Sequence, residues 1–300
     1  MALECAAMSR KLTDKVVLIT GASSGIGAAT AIACAQAGMD VTLAARREDK
    51  LAQVAERVRA IGRRAEPVVC DVALNEDVRK LFEQSWATHG RLDVVFANAG
   101  YGLCSPVMEM SDEAHRHIFE VNYFGTLRCV RHGIADLRRT ADGLKHMMIC
   151  SSAVSEIALP RYGAYCATKA AQDSIAGSLR AELNDERIAV TSVHPGGTET
   201  EFFEVAHQLT DDQRRKRRGK TNTPAMLVQT AEKVGRSVVG AIRRPRPEVW
   251  PTFGARYGLA FTTAFPRVAA WVMRNWAHRM TPMSDDEQVR GDTGVKDTSG

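Results

Sequence analysis

Residues 16–27 read VVLITGASSGIG. The run VVLIT (16–20) carries no charge and ends at a glycine, as a strand buried on both faces does. Glycines then fall at 21, 25 and 27, a G-x-x-x-G-x-G spacing that opens a helix running to about Gly38. Each glycine has a use in such a turn. Gly21 permits the sharp reversal, Gly25 lets a pyrophosphate approach the backbone, and Gly27 lets the helix pack against the strand. The phosphates would meet free N–H groups at the helix N-terminus. Glycines as mere loop punctuation are the competing reading, which the strand–turn–helix placement disfavours.

Working outward, the same alternation repeats. VTLAA (41–45), PVVC (67–70), LDVVFA (92–97), LKHMMIC (144–150) and IAVTSVH (188–194) read as strands. Between them lie helical stretches at 48–62, 75–89, about 112–140 and around Tyr165. Uninterrupted apolar strands alternating with amphipathic helices predict an α/β fold, a doubly wound parallel sheet covered on both faces. The expected organisation is a flexible N-terminus (1–13), one domain (14–254), an apolar, aromatic C-terminal helical extension (255–283) and a polar, disordered tail (284–300). A helix is expected at about 225–243, after a charged segment at 204–224.

The 300 residues are 45% hydrophobic, enough for a large core, and carry a net charge of +5 that is mostly scattered. Nucleic-acid binding is not expected, because the one basic run, RRKRRGK (214–220), has no aromatic interleaving. That run reads as a solvated helix face, with contact to an acidic substrate or an anionic membrane as the alternative. Seven cysteines stand singly, several in apolar runs, and no CxxC occurs, so a reducing compartment and no metal are expected. Glu4 interrupts the N-terminal apolar stretch, which is therefore not read as a secretory signal, and no run of 18 uncharged apolar residues occurs. A cytoplasmic protein is expected.

The second strand ends Ala45-Arg46-Arg47, without the carboxylate that grips the ribose 2′-hydroxyl of NAD. Arg46 can pair with a 2′-phosphate, so NADP is favoured over NAD. Against this, Ser24 adds no second cation, and both arginines could simply begin a solvated helix.

Residues 162–169 read YGAYCATK. On a helix Tyr165 and Lys169 lie one turn apart on one face, with Tyr162 about two turns from the lysine. A phenol titrates near pH ~10, and a neighbouring ammonium lowers that value, which suits proton transfer near neutrality. A surface pair one turn apart is the alternative.

In their order and placement, TGASSGIG (20–27), Asp71-Val72, Asn98-Ala99-Gly100, Asn122, Ser151-Ser152, Tyr165…Lys169 and Pro195-Gly196…Thr200 resemble the short-chain dehydrogenase/reductase family over roughly 14–200. The resemblance implies a Rossmann-like fold and an NAD(P)-dependent oxidoreductase. It implies that Tyr165 is the acid/base, and that Lys169 holds the nicotinamide ribose and lowers the tyrosine pKa. Ser152, thirteen residues before Tyr165, would hold the substrate oxygen, and Asn122 would anchor a water in a proton relay. Gly21, Ser23, Ser24, Gly25, Ile26 and Gly27 would cradle the pyrophosphate. Asp71 and Val72 would flank the adenine, and Asn98, Ala99 and Gly100 the adenosine path. Pro195, Gly196, Thr198 and Thr200 would contact the nicotinamide and pyrophosphate. Cys166 and Thr168 replace commoner fillers, with no chemical consequence expected.

The reading is interconversion of a carbonyl and an alcohol on a hydrophobic small molecule, beside walls at 101–107, 153–162 and 198–206 that include Leu103, Val154, Leu159, Phe202 and Phe203. The resemblance suggests a homodimer or homotetramer through the helices at about 100–140 and 162–185. The stripe Phe265, Val268, Ala269, Val272, Trp276, with Arg267, Trp271, Arg274 and His278 on another face, fits peripheral membrane contact or packing on the core or a partner subunit. A cofactor-binding regulatory or membrane-surface scaffold with little turnover is the alternative function.

Overall fold

A computed structural model of the chain describes residues 9–141, 143–198, 228–265, 267–268, 270–271 and 274–275. The chain divides into two compact units, Met1–Leu259 and Ala260–Gly300.

In the first unit the order is β1 (Val16–Thr20), α1 (Gly25–Gln36), β2 (Asp40–Ala45), α2 (Glu48–Ala60), β3 (Ala65–Val69), α3 (Asn75–His89) and β4 (Val94–Ala97). Then follow α4 (Asp112–Phe119), a π turn (Glu120–Phe124), α5 (Gly125–Arg139), β5 (His146–Cys150), α6 (Gly163–Glu182) and β6 (Ala189–Val193). A two-residue ladder joins β7 (Gly197–Thr198) to β8 (Val228–Gln229), α7 (Ala231–Arg243) and β9 (Glu248–Val249) follow, and α8 (Phe253–Ala264) begins in this unit and ends in the second. The main sheet has the order β3-β2-β1-β4-β5-β6-β9, every pair parallel.

Alternation along the buried strands builds two cores. Val17 and Ile19 of β1 face one side, with Phe96, Met148, Cys34 of α1 and Val238 of α7. Val16 and Leu18 face the other, with Val95, Met147, Leu81 of α3 and Leu137 of α5. A strand with no polar face is what a sheet covered on both sides requires. The order reverses at β1, whose neighbours are β2 and β4, and in such sheets ligands bind beyond the carboxyl ends of the strands at this switch point.

Three differences from expectation matter. The helical stretch 112–140 is broken by the π turn. Tyr162 is not helical, because α6 begins at Gly163, so it does not share the helical face of Tyr165 and Lys169. Residues inside the stretch expected to be flexible are anchored: the Arg10 N–H donates to the Arg243 carbonyl oxygen at 2.9 Å, and Leu12 is buried. Among the described residues Cys34, Cys70, Cys104, Cys129, Cys150 and Cys166 are buried and form no disulfide, and no cluster of metal-ligating groups occurs. No helix among them is long and apolar enough to cross a membrane.

In the second unit the Phe265 N–H donates to the Phe261 carbonyl oxygen at 3.0 Å. Phe261, Phe265, Val268 and Trp271 are exposed there. Ala269, Val272, Trp276 and His278 lie outside the described residues, as do Thr200, Phe202, Phe203 and the basic run 214–220.

Candidate active site

The glycine turn joins β1 to α1. Gly21 has φ +67°, and a Cβ there would stand 2.9 Å from the Ala99 Cα. Gly25 has φ +54°. A Cβ on Gly27 would stand 2.2 Å from the Gly21 carbonyl oxygen and 2.9 Å from Asn98 Nδ2. The third glycine thus makes room for the turn itself, rather than for strand packing as expected. Ser23 is buried, Ser24 precedes the helix in an extended conformation, and Ile26 packs on the core.

Thr20, which the sequence reading passed over, ties the strand ends together. Its Oγ1 accepts from the N–H groups of Asn98 and Ala99, both at 3.0 Å, and its carbonyl oxygen accepts from Asn98 Nδ2 at 2.9 Å. Asn98 is therefore a brace between β4 and β1. Gly100 sits where a Cβ would be 3.0 Å from Asn122 Oδ1 and 3.8 Å from Lys169 Nζ. Asp71 Oδ1 accepts from the Ala73 N–H at 3.0 Å, and Val72 is buried in the core against Gly125.

The two arginines divide their work. Arg46 is exposed, with Nη1 3.8 Å from Asp71 Oδ2. Arg47 Nη2 donates to Ser24 Oγ at 2.7 Å and to Ser23 Oγ at 3.1 Å. A cation does reach Ser24, then, and it comes from the far side of the turn. Sequence reading missed it because the two residues are 23 apart in the chain.

The second half of the site gathers on α6 and the ends of β5 and β6. Lys169 is buried, and its Nζ donates to the Cys150 carbonyl oxygen at 2.8 Å. Burial holds its pKa below the ordinary lysine value. Nζ lies 5.7 Å from the Tyr165 ring centroid. Tyr165 keeps part of its surface open. Desolvation nonetheless pushes its phenol well above the ordinary value, and a hydrogen bond with Ser152 pulls it part of the way back. The shift runs opposite to the lowering expected from Lys169, whose ammonium donates to a main-chain carbonyl oxygen.

Ser151 and Ser152 point to different tasks. The Ser151 hydroxyl donates to the Lys169 carbonyl oxygen at 3.0 Å. Ser152 Oγ accepts from the Val154 N–H at 3.3 Å and reaches the Pro195 carbonyl oxygen at 3.5 Å. Asn122 stands in the π turn, fully buried. Its Oδ1 accepts from the Tyr101 N–H at 3.0 Å, and its Nδ2 donates to the Tyr101 carbonyl oxygen at 2.9 Å and to Thr168 Oγ1 at 3.1 Å. Its carbonyl oxygen accepts from Thr126 Oγ1 at 2.7 Å and from Gln172 Nε2 at 2.6 Å. Thr168 is therefore no idle filler: it also donates to the Tyr165 carbonyl oxygen at 2.8 Å. Gln172, one turn beyond, gave no signal in the sequence. The Pro195 carbonyl oxygen accepts from the Ala153 N–H at 2.9 Å, the Gly196 carbonyl oxygen accepts from Thr198 Oγ1 at 3.1 Å, and Thr198 is buried.

A short chain dehydrogenase family model matches residues 15–210. An 11-beta-hydroxysteroid dehydrogenase A of Sesamum indicum is 35% identical over 274 residues, 89% of this chain and 76% of that protein. The structure of a Thermococcus sibiricus alcohol dehydrogenase complexed with 5-hydroxy-NADP superposes with a TM-score of 0.67 at 28% identity, covering 78% of this chain and 94% of that one. A short chain dehydrogenase/reductase from Burkholderia phymatum in complex with NAD shares the fold, with a TM-score of 0.76 at 23% identity over 86% and 96% of the two chains. The turn beyond β1, the parallel sheet and these likenesses agree: the chain belongs to the short-chain dehydrogenase/reductase family and is an NAD(P)-dependent oxidoreductase.

Proposed function

We propose that the protein is an NADP-dependent carbonyl reductase or alcohol dehydrogenase acting on a hydrophobic small molecule. The observation that carries this reading is the convergence of Tyr165, Ser152 and Lys169, with the Tyr165 phenol hydrogen-bonded to Ser152. A bound nicotinamide would supply or take up the hydride at the substrate carbon. Ser152 holds the substrate oxygen, and Tyr165 gives it a proton during reduction. The raised phenol keeps its proton at neutral pH, as a proton donor in carbonyl reduction must. Lys169 holds the cofactor ribose from beside Gly100, and the Asn122 network keeps α6 and α5 in register with it.

The turn suits a dinucleotide: Gly21 and Gly27 let the chain close on its own Ala99, Asn98 and Gly21 atoms, which brings the N-terminus of α1, where phosphates bind, to the end of β1. Preference for NADP is supported by Ala45, which offers no carboxylate to a ribose, and by Arg46 and Arg47, which flank the same corner. The sesame relative's name supports a steroid-like substrate, as do buried Leu103 and half-buried Val154 and Leu159 in the expected walls. The domain 14–254 is the catalytic part in this reading, cytoplasmic and assembled as a homodimer or homotetramer. Exposed Phe124 beside Tyr123 gives such an assembly an apolar anchor.

The test is oxidation of NADPH and NADH, and reduction of the oxidised forms, across steroids, retinoids, fatty aldehydes and sugars. Turnover with a hydrophobic carbonyl and NADPH is expected, and Tyr165→Phe should abolish it. Absence of turnover with every class, or full activity of Tyr165→Phe, overturns the reading and favours the scaffold alternative. Peripheral contact with an anionic membrane is a second reading for the extension, favoured by exposed Phe261, Phe265, Val268 and Trp271 near Arg267 and Arg274. Sedimentation with anionic vesicles, lost on deleting 255–300, tests it.

A further inference from the structure

Behind Ser152 lies a buried histidine that the mechanism above does not use. His194 follows β6 and is 1% exposed. Its ring stacks on Trp250, with centroids 4.3 Å apart and planes 5° from parallel. Nδ1 lies 3.3 Å from the Ser152 carbonyl oxygen and 3.4 Å from Ser155 Oγ. A carbonyl oxygen only accepts, so this contact places a hydrogen on Nδ1. Nε2 lies 3.0 Å from Ser192 Oγ and 3.3 Å from Asp173 Oδ1. Burial pushes the Asp173 carboxyl up, but its contacts with His194 and Ser192 bring it below the ordinary aspartate value, so carboxyl and ring act as a pair.

Asp173 is the next position on a stripe of α6 spaced four apart: Tyr165, Lys169, Asp173. The chain of contacts Asp173–His194–Ser152 therefore connects the helix bearing the tyrosine and lysine to the main chain that bears the serine. Trp250 is fixed in turn by its Nε1–H, which donates to Glu248 Oε2 at 2.9 Å. The His194 N–H donates to the Val249 carbonyl oxygen at 2.8 Å, so the histidine is held at its backbone as well as its ring.

We propose that His194 is a positioning residue: through Nδ1–H it fixes the Ser152 carbonyl, and with Asp173 and Trp250 it sets the Ser152 hydroxyl against Tyr165. This rests on the catalytic reading of Ser152 and Tyr165 given above.

Two measurements separate the inference from that reading. Hydrogen exchange over 151–157, followed by mass spectrometry, reads the strut without turnover. His194→Phe keeps the stacking on Trp250 but loses the polar contacts of both ring nitrogens, and should speed exchange over 151–157 about tenfold, the scale of one lost hydrogen bond to the Ser152 carbonyl. Exchange over 21–27 should not change. His194→Asn keeps a side-chain N–H near the Nδ1 position and should restore most of the protection. The second measurement is NADPH oxidation with para-nitrobenzaldehyde. His194→Phe should lower kcat about tenfold to a hundredfold, as displaced groups do, with the NADPH dissociation constant unchanged and partial recovery in His194→Asn. Unchanged exchange over 151–157 in His194→Phe overturns the strut. Changed exchange with wild-type kcat, in a preparation where Tyr165→Phe is inactive, overturns its role in positioning. Equal losses in His194→Phe and His194→Asn would also overturn it, since the restored N–H would then count for nothing. An active Tyr165→Phe overturns the catalytic reading and leaves the exchange result to decide the strut.

Discussion

The two halves of the site are built from different materials. The corner beyond β1 is made of backbone: glycines whose missing side chains leave room, main-chain N–H groups, and Thr20 tying strand ends together. The face on α6 is made of side chains that reach across the chain: Asn122 to Thr168, Gln172 to the Asn122 carbonyl oxygen and Lys169 to the Cys150 carbonyl oxygen, with Thr168 also holding the Tyr165 carbonyl oxygen within the helix. A backbone site tolerates no added atom, whereas a side-chain network loses one contact at a time. The halves should therefore fail differently under substitution.

The largest effect should come from the proton donor. Tyr165→Phe should lower kcat by about 10²–10⁴-fold, the scale of a lost general acid, while cofactor binding persists. Tyr162→Phe, outside the helix, should leave the chemical step nearly intact. Because desolvation raises the Tyr165 phenol, the rate of carbonyl reduction should stay level as pH rises towards about 10, the ordinary phenol value. A phenol lowered by Lys169 would instead lose its proton, and the rate, well before that. A pH–rate profile of kcat decides between them.

Next comes the backbone half. Gly27→Ala puts a methyl 2.2 Å from the Gly21 carbonyl oxygen. The turn must shift, at a cost of about 1–3 kcal/mol by analogy with overpacking, and cofactor affinity should fall with stability in one step. Isothermal titration and thermal melting of the same preparation check this. Unchanged affinity would mean that the turn yields without harm.

Arg47→Ala should weaken NADP binding about tenfold to a hundredfold, the worth of a charge-assisted hydrogen bond, and leave NAD binding almost unchanged. Arg46→Ala is the paired control, and titrating both cofactors into both variants shows which guanidinium reads the phosphate. Tighter binding of NAD than NADP by the wild type would defeat the preference altogether. The smallest effect is Thr168→Val, which removes the contacts to Asn122 and to the Tyr165 carbonyl. About 1 kcal/mol of stability should go, read as a lower denaturation midpoint, with a modest loss of kcat.

The same division explains what the sequence disclosed. VVLIT (16–20) and the helix at 75–89 match the observed elements, because strands buried on both faces and amphipathic helices write their burial into the local pattern. β9 escaped notice: Glu248–Val249 is two residues long between prolines, and its place in the sheet is decided by β6, far away in the chain. The glycine turn was legible because a close approach leaves a glycine behind. The separation of Ser152 from Ser151 came from spacing within a family pattern. Arg47, Thr168, Gln172 and His194 were not legible, since their partners are remote and no local period marks them. Arg46 and Arg47 differ by one position, and only the folded chain shows which of them meets Ser24.

The π turn at Glu120–Phe124 carries one residue more than an α-helix would hold there. Removing a residue would let α4 run into α5 as one regular rod, and would swing everything on one side by about 100° relative to the other. Asn122 would leave Tyr101 and Thr168, and its carbonyl would leave Thr126 and Gln172. A designer who smoothed this helix for thermal robustness would gain a sturdier rod and lose the register between two faces of the site. The irregularity is a phase shifter, and its length, one residue, is the quantity to preserve in any redesign of this chain.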